Sequence, residues 1–231
     1  MPVRRSAVGQ SRRHTPDLRR DCRPVKWFVA VSGNIGSGKS TVTTLLSEKL
    51  GWTPYYEVVD ENPYLSDFYG DMSRWSFHLQ VFFLSKRFQH HQQIVRAANS
   101  IVQDRTIYED AEIFARNLYL HGQMDERDFR NYHELFMTML QFLRTPDLIL
   151  YLKASVPTLA HRIKTRARDF EQRIPTEYLA QLNECYAEWV EHFSLCPVVT
   201  IDADALALEE IDGLVAEMQS RLGSLFPLVE R

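Results

Sequence analysis

A chain of 231 residues, 45% hydrophobic and 12% aromatic, is long enough for one sizeable α/β domain and short of a clear pair. It holds no apolar run near the roughly 18 residues of a membrane span, and its three cysteines (Cys22, Cys185, Cys196) lack metal-ligand spacing and make no disulfide framework. The net charge of −3 is uneven: residues 1–25 carry +5, which leaves about −8 for the rest and argues against a nucleic-acid-binding body.

The opening segment 1–25 holds Arg4, Arg5, Arg12, Arg13, Arg19, Arg20 and Arg23 against Asp17 and Asp21. It has no apolar periodicity and reads as a disordered basic tail. An inert extension is the preferred reading, ahead of a transit peptide or a nucleic-acid arm. One domain is expected over 26–231. It starts with "WFVAVS", a short run of β-formers, and "GNIGSGKS" follows, in which Gly33, Gly38, Lys39 and Ser40 fit G-x-x-x-x-G-K-[ST] in full. Then "STVTTLLSEKL" places Val42, Leu45, Leu46 and Leu50 at helical spacing. A strand, a glycine-rich turn and a helix make a phosphate cradle. Gly33, Asn34, Ile35, Gly36, Ser37, Gly38, Lys39, Ser40 and Thr41 would wrap the phosphates of ATP, with the helix N-terminus adding partial positive charge. Lys39 would reach the β- and γ-phosphates, and the Ser40 hydroxyl would bind Mg²⁺.

The runs "YYEVV", "SIVQD", "DLILYL" and "PVVTID" read as further strands. Helical patterns fall at 64–98, broken near Gly70–Ser73, and at 108–120, 125–143, 155–167, 175–193 and 206–222. This alternation predicts a parallel sheet covered on both faces, with ligands beyond the carboxyl ends of its strands. The polar residues at those ends are Ser32 with the cradle, Glu57, Asp104 with Arg105, and Asp202. Glu57 is a candidate general base for a hydroxyl facing the cradle, with Asp60 and Glu61 its rivals by chemistry alone. Asp104 has the placement of an Mg²⁺ partner, and Arg105 can hold a phosphoryl oxygen or the accepting hydroxyl. Thr106, Glu109 and Asp110 read as helix-start residues. Downstream, "HRIKTRARDFEQRIP" sets Arg162 and Arg166 on one helical face, with Arg168 in the next segment; arginines over a cradle suit a transferring phosphoryl group. Around 75–98, Trp75, Phe77, Leu79, Val81, Phe82, Phe83, Leu84 and Phe88 exceed a single apolar stripe, so this helix serves the core and also a dimer interface or a ligand wall.

From about Lys26 to Asp202 the chain resembles the deoxyribonucleoside kinase family. The resemblance rests on four ordered motifs, "YYEVVDENPYLSDFY", "RWSFHLQVFFLSKRF", "VQDRTIYEDAEIFA" and "RARDFEQRIPTEYL", and is strongest toward the bacterial deoxyadenosine kinase branch. It implies a P-loop kinase fold, with a five-stranded parallel sheet flanked by helices and an Arg-rich lid. It implies transfer of the γ-phosphoryl group of ATP·Mg²⁺ to the 5′-hydroxyl of a deoxyribonucleoside, deoxyadenosine favoured and deoxycytidine or deoxyguanosine possible. It also implies nucleotide salvage, a homodimer with no nucleic-acid or membrane partner, and a cytoplasmic location, or an organelle matrix were the tail a transit peptide. By position, Glu57 matches the base of a Glu-Pro-Val motif in which Val58 replaces Pro. Tyr69 and Glu171 match residues that hold the sugar 3′-hydroxyl, and Gln80 one that pairs with the base edge. Arg87 and Asp110 match a pair that reads exocyclic groups, and Trp75 and Phe114 would pack around base and sugar. Asp104-Arg105-Thr106 stands where Glu-Arg-Ser is usual, one methylene shorter, so Asp104 would reach Mg²⁺ directly or through water. Arg162, Arg166 and Arg168 fall on the lid, and Asp202 near the segment that passes the adenine of ATP. Two competing readings share the cradle. A nucleoside monophosphate kinase needs cations for its acceptor's phosphate and no carboxylate base; a P-loop binding module holds ATP without transfer.

Overall fold

In the computed structural model, residues 26–59, 62–206 and 211–225 are described; the basic tail, Asp60 and Glu61 lie outside them. β1 (Phe28–Gly33) is buried at every position, as the central strand of a parallel sheet must be. β2 (Thr53–Tyr55), β3 (Ile101–Asp104), β4 (Leu148–Lys153) and β5 (Val198–Asp202) complete a five-stranded sheet in the order β2-β3-β1-β4-β5, every pairing parallel. The chain leaves β1 toward one edge and after β3 crosses to the other. The order therefore reverses at β1, and the crevice at its carboxyl end is where such sheets bind ligands. The register Val31↔Asp104 sets the end of β3 beside the start of the cradle.

Alternation along the strands feeds two cores. Val29, Val31, Val102, Leu148 and Leu150 pack with α1 (Lys39–Leu50), α7 (Val156–Arg166) and α9 (Ile211–Leu225) on one face. Ala30, Ile149 and Tyr151 face the other, beneath α3 (Met72–Arg96), α6 (Glu126–Leu140) and α8 (Thr176–His192). Cys185 is buried and Cys196 half-buried, both free. No helix among the described residues is long and apolar enough to cross a membrane.

The expected P-loop α/β architecture is borne out, with local departures that each have a physical reason. The break near residue 70 separates α2 (Leu65–Gly70) from α3, and Asp71 marks it by accepting the backbone N–H of Arg74 as the α3 cap. The second strand stops at Tyr55, short of the predicted 55–59. Its partner β3 turns away at Arg105, whose backbone is left-handed (φ 67°), so Glu57 lies two residues beyond the sheet. The predicted 108–120 helix is composite. It opens at Thr106, whose side chain accepts the Glu109 N–H while the Glu109 carboxylate accepts the Thr106 N–H, a complete capping box. The chain then runs through α4 (Ile107–Glu109), one π-helical segment (Asp110–Ala115) and α5 (Arg116–Leu120). Helix α7 ends at Ala167 (φ 54°), and a 3₁₀ turn (Asp169–Arg173) leads to α8.

Candidate active site

The cradle forms because glycine can stand where a side chain cannot. A Cβ on Gly33 would sit 2.8 Å from the Leu152 carbonyl oxygen and 2.6 Å from Ser37 Oγ, and Gly38 (φ 99°) starts α1 in a left-handed conformation. Asn34 pins the loop from outside, donating to the Leu179 carbonyl (2.9 Å) and to Asn183 Oδ1 (2.8 Å) on α8. Lys39 Nζ donates to the Asn34 carbonyl at 2.9 Å. Burial, reinforced by the positive charge of Arg105, lowers the Lys39 pKa to about 8. A bound polyphosphate would restore that charge by supplying anions.

Above the cradle lies a cavity of about 300 Å³ that joins it to α2, α3, the π segment and the 3₁₀ turn. Of the residues expected in the site, Lys39, Ser40, Glu57, Tyr69, Gln80, Asp104, Arg105, Asp110, Phe114, Arg166, Arg168 and Glu171 line it. Ile35, Gly36, Gly38 and Thr41 of the cradle line it as well, whereas Gly33, Asn34, Ser37, Trp75, Arg87, Arg162 and Asp202 do not. Arg87 acts from behind the wall: its Nε and Nη2 donate to both carboxylate oxygens of Asp110 (3.0 and 3.2 Å), Nη2 also to Glu57 Oε1 (3.0 Å), and Nη1 to the Asp104 carbonyl (3.1 Å). Most of its donors are thereby spent inside the protein. Arg162 braces the cradle, donating to the carbonyls of Ser37 (3.1 Å) and Ala203 (2.7 Å). Asp202 instead accepts the backbone N–H of Asp204 (3.0 Å) just past β5. Trp75 packs on Tyr64 and His78.

Glu57 is the electrostatic centre. Arg105 Nε lies 2.9 Å from the oxygen that Arg87 also contacts. That contact lacks hydrogen-bond geometry, so the Nε–H keeps its donor capacity. Burial pushes the Glu57 carboxyl up, but Arg105, Arg87 and Lys39 outweigh it and hold the pKa down to about 2. Asp104 and Asp110 are pushed the other way, chiefly by burial. Arg105 packs its guanidinium 4.3 Å over the Phe114 ring and donates to the Tyr186 hydroxyl at 3.2 Å. Glu171 is paired with both lid arginines: Arg166 bonds both its oxygens (2.6 to 3.0 Å), and Arg168 approaches at 3.5 Å. Tyr69 is pushed up by burial and by its neighbours Tyr178 and Glu171.

Among the residues lining the cavity, two buried side-chain oxygens lack partners. Ser40 Oγ donates to Asp104 Oδ2 at 2.6 Å and leaves Oδ1 unbonded; Gln80 Oε1 on α3 is unbonded as well. Among the described residues no cluster of three or more His, Cys, Asp or Glu could hold a metal by itself. One carboxylate and one hydroxyl beside a phosphate cradle fit Mg²⁺, which takes a few protein oxygens and fills its octahedron with phosphate and water. Glu109, Tyr178, Tyr186 and Phe170 belong to the site's framework yet escaped the sequence reading. Glu109 carried a signal, but it was that of a helix cap; the tyrosines of α8 sit at core-like spacing.

Comparison with known proteins agrees with this geometry. The family model described as deoxynucleoside kinase matches residues 29–221. The deoxyadenosine/deoxycytidine kinase of Bacillus subtilis (strain 168) is 38% identical over 203 residues, 85% of this chain and 94% of that protein. The deoxyadenosine kinase of Dictyostelium discoideum is 43% identical over 175 residues, 75% of this chain and 71% of its own. The solved structure of deoxyadenosine kinase from M. mycoides, with products dCMP and a flexible dCDP bound, matches with a TM-score of 0.77 at 31% identity, covering 84% of this chain and 99% of its own.

The Glu57 environment makes a direct prediction. With its pKa held to about 2, the carboxylate stays ionised throughout the neutral range. A ¹³C-carboxyl NMR titration, with the Glu57 resonance assigned by comparison with Glu57→Gln, should show no midpoint above about pH 4. A midpoint near 6 would mean that the two arginines do not hold it.

Proposed function

The chain belongs to the deoxynucleoside kinase family, and on that premise we propose how its own residues carry out and select for the transfer of a phosphoryl group from ATP to a deoxyribonucleoside. The observation that carries the reading is an ionised, arginine-held carboxylate, Glu57, in the same cavity as Lys39 and the cradle. A monophosphate kinase would need free cations there for an acceptor phosphate. Here Arg87 is tied to Asp110 and Glu57. A binding module would need no base.

In this reading the sugar 5′-hydroxyl donates to Glu57 and faces the γ-phosphorus in line. A carboxylate with so low a pKa is a weak base, but it is fully ionised and rigidly placed. The loose transition state of phosphoryl transfer asks mostly for orientation, with the proton moving late. The free Nε–H of Arg105, together with Lys39, offsets charge on the transferring oxygens. Mg²⁺ would be held by Ser40 and Asp104, and when bound it supplies neutralisation of phosphate charge. Tyr69 and Glu171 would hold the 3′-hydroxyl. Engaging Glu171 with the sugar would release Arg166 or Arg168 toward the phosphates.

For the base, the cavity offers two acceptors, Gln80 Oε1 and the Asp110 carboxylate. Adenine and cytosine present an exocyclic amino donor, whereas thymine presents a carbonyl, which would face the Asp110 carboxylate unpaired. Rejection of this kind is strong, on the order of 10²–10⁴-fold. Deoxyadenosine is the proposed best substrate, with deoxycytidine or deoxyguanosine next. A homodimer is part of the proposal. Met137 on α6 and Phe142 just beyond it are exposed in the single chain (49% and 69%), large apolar side chains that a partner copy would cover.

The test is ADP release from ATP with and without each nucleoside. Release should depend on nucleoside, and Glu57→Gln should lower kcat by about 10²–10⁴-fold with both substrates still bound. Nucleoside-independent hydrolysis, or near-normal turnover in that variant, overturns the assignment. In the same panel kcat/KM for thymidine should fall at least about 10²-fold below that for deoxyadenosine, and Asp110→Asn should narrow the gap. Equal use of the two by the wild-type enzyme contradicts the acceptor-lined pocket.

A further inference from the structure

Glu109 is completely buried at the centre of a network that neither the cradle motif nor substrate contact accounts for. Its Oε2 completes the capping box, accepting the Thr106 N–H (2.7 Å) and the Thr106 hydroxyl (3.0 Å). Capping needs only that oxygen. Oε1 points away from the helix, accepts the Gly33 N–H at the mouth of the cradle (3.2 Å) and meets the Tyr186 hydroxyl at 2.7 Å. That hydroxyl also lies 2.8 Å from the Gly33 carbonyl and accepts from Arg105 Nη1. One carboxylate oxygen and one phenol oxygen thus flank both backbone polar groups of Gly33 and the Arg105 guanidinium, the single phenol proton serving either the carboxylate or the Gly33 carbonyl.

We infer that Glu109 and Tyr186 are positioning residues for phosphoryl transfer, acting as a unit to fix the cradle against Arg105. Three considerations support this. An isolated core carboxylate is costly, and an apolar residue or a glutamine would pack with less penalty; three donors aimed at one carboxylate, with the phenol proton as a fourth when it is not on the Gly33 carbonyl, mark a position where the geometry of those donors matters. Arg105 has a left-handed backbone, a strained conformation that persists only where surroundings over-determine it. Its side chain is held by Glu57, the Phe114 ring and the Tyr186 hydroxyl, and the last of these links it to the cradle. Lastly, Gly33 begins the turn that aims the phosphates, so a small tilt of its peptide moves the γ-phosphoryl group relative to the 5′-hydroxyl, and misplacement by about 1 Å can cost on the order of 10²-fold.

The test uses the full-length enzyme and the variants Tyr186→Phe, Glu109→Gln and the double. Tyr186→Phe removes one oxygen and keeps the ring, which stacks on Tyr151 (centroids 5.5 Å apart, planes at 16°). Measured well below each variant's Tm, kcat should fall about 10-fold or more in each single variant, while the nucleoside KM stays within about threefold. Because the two act through the same atoms, the double variant should lose little more than the worse single one. A purely structural pair gives the opposite pattern: a lower Tm with kcat within about twofold of wild type. That result, or losses in kcat that multiply in the double variant, overturns the inference. Should Glu109→Gln not fold, the kcat and KM of Tyr186→Phe decide the matter alone.

Discussion

A carboxylate shared by two buried arginines is the constraint on which the site depends. Glu57 cannot sit in its cavity ionised unless Arg87 and Arg105 neutralise it, and neither arginine can be buried without partners for its donors. Arg87 therefore pairs with the Asp110 carboxylate as well, and Arg105 donates to the neutral Tyr186 hydroxyl. Breaking one member of such a set leaves an uncompensated buried charge, a penalty of about 3–5 kcal/mol. Each partner comes from a different element: Glu57 from beyond β2, Arg87 from α3, Arg105 from the end of β3, Asp110 from the π segment, Tyr186 from α8. The charge set thus fixes how the helical layer stands on the sheet, and places an ionised oxygen over the phosphate cradle.

The backbone departs from regular geometry where that set is assembled. Arg105 has a positive φ, and the helix after it inserts a π turn at Asp110–Ala115. A π turn shifts side-chain phase within a helix and is frequent at functional sites. Here Asp110 and Phe114 from that turn both line the cavity, one as acceptor for Arg87 and the other beneath the Arg105 guanidinium. Local rules broken together in one place are expected at a working site.

What the sequence made legible follows from the range of each interaction. The cradle is local: eight consecutive residues carry its turn, its cation and its hydroxyl, and their flanks give the strand and helix. Parallel order and the strand-end positions of Asp104 and Arg105 follow from alternating periodicities. Glu57 was a candidate from its place after the second predicted strand, and the resemblance chose it over Asp60 and Glu61; Tyr69, Gln80, Phe114, Glu171 and the site role of Asp110 came through resemblance of ordered motifs alone, since no spacing rule brings residues so far apart to one place. The end of β2 was misjudged because its neighbour turns away at a left-handed arginine that no propensity foretells. The second oxygen of Glu109 reaches across 76 positions to Gly33, and the Arg166–Glu171 pair spans a helix end and a 3₁₀ turn. Both depend on tertiary geometry, and both residues had satisfactory local readings, as a cap and as part of a cationic face.

In the proposed mechanism Glu57, held by Arg87 and Arg105, receives the hydroxyl that accepts the phosphoryl group. The most direct measurement is a crystal structure with deoxyadenosine and a non-hydrolysable ATP analogue bound together. The 5′-oxygen should lie within about 2.6–3.2 Å of a Glu57 oxygen, in line with the γ-phosphorus, with Arg105 against the same oxygen or the γ-phosphoryl group. A nucleoside bound with its 5′-oxygen turned away from Glu57, toward another carboxylate, would contradict it.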